Sequence, residues 1–237
     1  MALFKQSTQP MAHTLRVLAR LLGYPDAELC AHLDAMRDAL HAEGALGAAR
    51  LAELDALVAH LGDGPQLDVE AEYVDLFDRG RATALHLFEH VHGDSRERGP
   101  AMVDLTQTYA QAGLLLHAGE LPDHLTVVLE YASTQPPAQA AAFLAEFAHI
   151  TRSIFSALRG RRSPYACVLA AVLELAGEKA QPVPIEPEPA LDEAWEEPLA
   201  FGGCSTEGQA APGTPQPVRI VRRPASPSNP HAQGASA

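Results

Sequence analysis

His86-Leu-Phe-Glu-His90 carries the residue types of metal chemistry at a spacing that could use them. Histidines at i and i+4 share one face of a helix, where two imidazoles can grip Zn²⁺ and an adjacent carboxylate can activate water. A small zinc-dependent hydrolase using His86, Glu89 and His90 is therefore one reading. The pattern fixes only three positions in a chain with 11 histidines, and no third ligand stands at a set distance. The competing reading is that these side chains hydrogen-bond the backbone of neighbouring loops. Two such loops flank the segment, Asp78-Arg79-Gly-Arg81 and Asp94-Ser-Arg96-Glu-Arg98-Gly99. Arginine forks pair bidentately with carboxylates, so the loops are expected to clasp each other or the helix ends. Phosphate-loop, dinucleotide-binding and nucleophile-elbow patterns are missing from the sequence. Cys30, Cys167 and Cys204 lie far apart and form no CxxC pair or disulfide framework. Cys167 sits in an apolar stretch and reads as a core thiol.

Helices must position these residues. Leu15, Leu18 and Leu22 recur at helical spacing and stop at Gly23-Tyr-Pro25. Asp26 reads as the N-cap of a helix carrying Leu29, Leu33, Met36 and Leu40, which ends near Gly44. Further apolar stripes run over 51–61 and from Leu67 to Phe77, the latter with Val69, Tyr73, Leu76 and Phe77 inward. A short helix is expected around 84–91. Met102, Leu105, Tyr109 and Ala112 form the next stripe. Pro122 is expected in the first turn of a helix carrying Leu125, Val128, Leu129 and Ala132, with acids near its start as the dipole favours. Pro136-Pro137 opens a long helix in which Phe143, Phe147, Ile150, Ile154 and Leu158 share one inward stripe. A last helix spans about 164–179. Strand signals are thin. The expected fold is all-α: one domain of about seven or eight packed helices over residues 1–180.

Composition sets the outer limits. The 237 residues carry 17 Lys+Arg against 30 Asp+Glu, a formal −13, which argues against nucleic-acid and anionic-membrane binding. Fourteen basic against twenty-three acidic residues up to position 180 leave −9 on the body; three against seven leave −4 beyond it. Eleven of the 19 prolines fall in residues 181–237, so that segment is expected to be a disordered Pro-rich tail. It holds an acidic island at 191–201 around Trp195, which reads as a docking segment. An intracellular, cytoplasmic location fits the cysteine usage. The sequence shows no signal-peptide h-region and no apolar run long enough to span a membrane.

Several segments together resemble one family. They are Tyr73-Val-Asp75-Leu-Phe77-Asp78-Arg79-Gly-Arg81, Leu85-His86-Leu-Phe88-Glu89-His90-Val-His92-Gly-Asp94-Ser-Arg96-Glu-Arg98-Gly99, Ala101-Met-Val-Asp-Leu105 and Glu120-Leu-Pro-Asp123-His124-Leu125. They are similar to the delta-subunit family of respiratory nitrate reductase, the NarJ-type molybdenum-cofactor assembly chaperones. The likeness covers roughly residues 10–201, with the Trp195 island included. It implies an all-helical, non-catalytic protein related to redox-enzyme maturation chaperones, with no metal or cofactor of its own. It also implies a partner, the apo catalytic alpha subunit, bound mainly through its N-terminal segment. That subunit would be held competent for molybdenum-cofactor and iron–sulfur insertion, and kept from membrane docking until both are complete.

Three expectations follow for the site. A partner helix lies in an apolar groove lined by Tyr73, Phe77 and Phe88, with Asp75, Asp78, Glu89 and Asp94 near its rim, and the body's −9 attracts a basic segment. Arg79, His86, His90, His92, Arg96, Arg98, Asp123 and His124 complete the candidate set. His86, His90, His92 and His124 titrate between about pH 5 and 8 and weaken binding of a basic peptide on acidification. The Trp195 island covers the groove when it is empty.

Overall fold

The computed structural model describes residues 9–92 and 96–184. Residues 191–201, with Trp195, and the rest of the expected tail from 185 onward lie outside the described residues. Eleven α-helices follow in order: α1 (Ala12–Leu21), α2 (Ala27–Ala31), α3 (Leu33–Glu43), α4 (Ala48–Asp63), α5 (Gln66–Phe77), α6 (Leu87–His92), α7 (Arg98–Gln111), α8 (Leu125–Ser133), α9 (Pro137–Glu146), α10 (Ala148–Gly160) and α11 (Ala166–Leu175), with a 3-10 turn at Arg81–Thr83. Among the described residues the only β-type pairing is one isolated antiparallel bridge, His86 to His124.

The expected count of seven or eight falls short of the eleven: two of the expected helices are each broken in two, and the short segment expected around 84–91 forms a helix of its own. Asp26 does cap α2, its side chain accepting the Leu29 N–H at 2.8 Å. The run to Leu40 then breaks at His32 (φ −109°, ψ 4°), whose ring donates to the Glu28 carbonyl at 2.7 Å. The long stripe after Pro137 breaks at Phe147 (φ −96°, ψ 3°) into α9 and α10. That break redirects the chain: Ile150, Ile154 and Leu158 are buried, whereas Phe143 and Phe147 stay half-buried at the surface. Pro122 is not in a first helical turn, since α8 begins three residues later. Ala112 is exposed beyond the end of α7.

Packing follows from α11. Of its ten residues only Glu174 escapes burial, the signature of a helix enclosed on all sides. Helices α1, α4, α9 and α10 pack around it, and α8 packs along α1. Cys167 is buried in this core, and burial pushes its thiol up to about 12. Gly44 closes α3 at φ 63°, a left-handed conformation that costs glycine little. Among the described residues, no helix is long and apolar enough to cross a membrane.

Leu129 on α8 is fully buried, while Leu115, between α7 and α8, is 93% exposed. Leu129→Ala should therefore cost about 2–5 kcal/mol and Leu115→Ala less than about 0.5 kcal/mol. Urea unfolding midpoints of the two variants test this contrast.

Candidate functional site

Asp123 lies in the turn before α8 with its side chain fully buried. Its carbonyl accepts the Leu87 N–H at 3.0 Å, and its Oδ2 accepts the Phe88 N–H at 3.2 Å. Both donors belong to the first turn of α6, a six-residue helix too short to hold itself. One residue from another segment thus satisfies the free amides of α6 and sets a carboxylate at its positive end. The neighbouring backbone is paired as well, with the Leu125 N–H donating to the Leu85 carbonyl at 2.9 Å.

An imidazole and a guanidinium meet the Asp123 carboxylate. His86 Nδ1 is 3.4 Å from Oδ1, and Arg98 Nη2 is 3.6 Å from Oδ2. Arg98 also reaches Glu89 at 3.5 Å, and Arg81 donates to the Glu89 carbonyl at 3.2 Å. This is the expected clasp, formed between both loops and α6. Burial works to raise the Asp123 pKa, but the His86 hydrogen bond, the Phe88 N–H and Arg98 hold it below the usual range. The Asp123 hydrogen bond in turn raises His86. His124, whose ring meets that of His86 edge-on at 4.8 Å, is pushed down to about 4 by burial and by His86. The expectation that His86, His90, His92 and His124 titrate together therefore needs correcting, since His124 leaves the physiological range.

The geometry for zinc chemistry does not form. His86 precedes α6, so it does not share a helical face with His90. Its ring engages Asp123, and His90 Nε2 donates to the Ala84 carbonyl at 2.8 Å. Among the described residues no group of three or more His, Cys, Asp or Glu side chains could hold a metal ion.

The expected groove is also divided. Tyr73 and Phe77, one turn apart on the inward face of α5, are buried in a ring cluster with Tyr165. The Tyr73 hydroxyl donates to the Leu22 carbonyl at 2.8 Å. Phe77 reaches the floor of a cavity of about 490 Å³ whose walls include Asp78, Arg79, Arg81, His86, Glu89 and Arg98. Asp75 and Arg79 pair on the surface at 3.6 Å. Arg96 is exposed, Asp94 lies outside the described residues, and His92 stands against the Phe88 ring at 5.8 Å.

Phe88 points into different company. Its ring is 6.4 Å from Phe147, Phe147 is 5.3 Å from Phe143, and Phe143 is 4.7 Å from Tyr131. All four are half-buried, so they form a surface row of aromatic rings. The row ends at a cleft of about 450 Å³ between α1, α8 and residues 114–120. Arg16, Arg20, Glu120 and Glu130 line it, with Leu114, Leu115 and Leu116 along the chain between α7 and α8. Burial and Glu120 raise the Glu130 pKa. Sequence reading missed this cleft; the Leu-Leu-Leu run between Gly113 and Gly119 was the available signal.

The described residues form an all-helical body with a capped, clasped α6 and a surface row of aromatics. The chain matches the nitrate reductase delta subunit family over residues 26–171 and belongs to that family. It is 42% identical over 193 residues to the nitrate reductase molybdenum cofactor assembly chaperone NarJ of Escherichia coli K12, covering 77% of this chain and 82% of that protein. It is 33% identical over 162 residues to a probable chaperone of the same name from Bacillus subtilis, covering 68% and 86%. A crystal structure of a putative redox enzyme maturation protein from Archaeoglobus fulgidus shares the fold, with a TM-score of 0.50 at 20% identity over 75% of this chain and 99% of that one.

Two measurements probe the clasp. Asp123→Asn leaves Arg98 and the α6 amides short of a charged acceptor and should cost roughly 3 kcal/mol, read by urea unfolding. The histidines act with opposite signs. His86, raised in the folded state, adds stability that is complete once pH falls to its unfolded value near 6.5. His124, lowered to about 4, resists a proton that the unfolded chain accepts, so stability falls between about pH 6.5 and 4. The Asp123 contribution is lost only below that window. His124→Gln should flatten the decline from pH 6.5 to 4 in unfolding midpoints, and an unchanged slope would refute the assignment.

Proposed function

We propose that this chain is a system-specific chaperone for a respiratory nitrate reductase. It binds the apo catalytic alpha subunit through that subunit's N-terminal segment and keeps it competent for molybdenum-cofactor and iron–sulfur insertion before membrane docking. The observation that carries the reading is the family membership together with the aromatic row from Phe88 to Tyr131. Half-exposed aromatics are the usual anchors of a protein interface. Three turns of helix rise about 16 Å, the scale of this row, so an amphipathic helix can lie along it with anchors at i, i+3, i+4 and i+7.

Charge supports the same partner. The body carries −9, so a basic segment is drawn to it, and Glu120 and Glu130 stand in the cleft at the end of the row beside Arg16 and Arg20. Binding rather than catalysis fits the histidines, whose ring nitrogens are engaged by Asp123 and by the Ala84 carbonyl. The rim residues Glu89 and Arg98 position α6, and hence Phe88, more than they offer free charge.

Titration calorimetry of the full chain with a synthetic peptide of the alpha subunit's N-terminal segment tests this. Phe88→Ala and Phe147→Ala should each weaken binding by about tenfold or more while unfolding stays cooperative. Affinity should fall as salt rises. If the double variant binds within twofold of the unaltered chain, the site is elsewhere.

A further inference from the structure

Residues 114–118 connect α7 to the turn before α8, and their composition is unusual for a surface connection. Leu114, Leu115 and Leu116 are consecutive; the outer two are half-buried along the cleft, and Leu115 is 93% exposed at its mouth. An exposed leucine beside a cleft whose lining includes Leu114, Leu116, Val127 and Tyr131 is a contact not yet made. The segment also has two natural pivots. Gly113 has φ +79° and Gly119 has φ +99°, both in the left-handed region that favours glycine. A Cβ at either position would meet nothing within 4 Å, so backbone conformation and not crowding is what suits these positions to glycine. The backbone is tied at either end of the segment, Leu114 N–H to the Tyr109 carbonyl at 3.0 Å and, just past Gly119, Glu120 N–H to the His117 carbonyl at 3.1 Å.

We propose that residues 114–118 form a hinged strap that closes over an apolar partner segment seated in the cleft at the end of the aromatic row, with Leu115 as the closing contact. The occupant is the amphipathic, basic segment of the preceding section, and the inference rests on that reading. Its apolar face continues from Tyr131 along Leu114, Leu116 and Val127, and a cationic side chain meets Glu120 or Glu130, which share the cleft with Arg16 and Arg20. Closure swings Leu115 inward about Gly113 and Gly119 and covers the segment from water. A strap that closes after docking acts on escape and not on encounter, so its loss appears in the dissociation rate.

Stopped-flow binding and amide hydrogen exchange on the full chain, with the same synthetic N-terminal peptide, provide the test. Burial of one leucine side chain corresponds to about tenfold or more in a rate or equilibrium constant. Leu115→Ser should therefore speed peptide dissociation about tenfold and leave association within twofold, and Leu115→Met should restore slow release. Amides of 114–118 should exchange about tenfold more slowly in the complex. Since Leu115 is exposed, neither variant threatens the fold. If the unaltered chain binds the peptide but Leu115→Ser dissociates within twofold of it, or strap exchange does not slow, the strap is no lid and the proposed function stands. If the unaltered chain does not bind the peptide, both fall.

Discussion

A carboxylate buried to the last of its surface must be met by donors or cations, because its desolvation is otherwise uncompensated. Asp123 meets this demand by drawing together three pieces of chain: the turn before α8, the start of α6 and Arg98 at the start of α7. The geometry of the surface depends on that convergence. Without a foreign acceptor for its first amides, a helix as short as α6 has no reason to persist, and Phe88 has no fixed direction. The Asp123 carboxylate raises His86, while desolvation and His86 lower its neighbour His124 to about 4.

A second constraint acts from below. Apolar but for Glu174, α11 claims the centre of the bundle, and the helices around it present one face inward. The turn at Phe147 lets α9 and α10 each choose their own inward face. Aromatic side chains that a single straight helix would have buried are left half-exposed beside Phe88. The result is a row of half-exposed rings on a packed scaffold, the surface along which the proposed partner helix lies.

Much of this fold was legible in the sequence. Asp26 as a cap, Gly44 as a terminator, Pro137 at a helix start and the inward set of α5 all follow from local rules, because capping amides, left-handed glycines and a 3.6-residue period depend on near neighbours alone. The same rules could not see the breaks at His32 and Phe147, where the apolar period continues across a turn. The candidate site was legible as a region and not as a geometry. Arg81, Arg98 and Glu89 do form a clasp, but Tyr73 and Phe77 were expected on a groove wall and lie in the core.

What the sequence by itself determined is the helical class, the acidic body, the residue types gathered between positions 73 and 124, and the family to which they belong. What only the tertiary structure decided is which of those residues face water, which face one another and which segments lie beside them. His86 and His90 have metal-ligand spacing in the chain, yet the bridge to His124 takes His86 off the helix that carries His90. Tyr131 and Phe88 are far apart in the chain and join one row through α9 and α10. The physical reason is that burial and charge pairing are satisfied between segments distant in the chain, at distances no local period encodes.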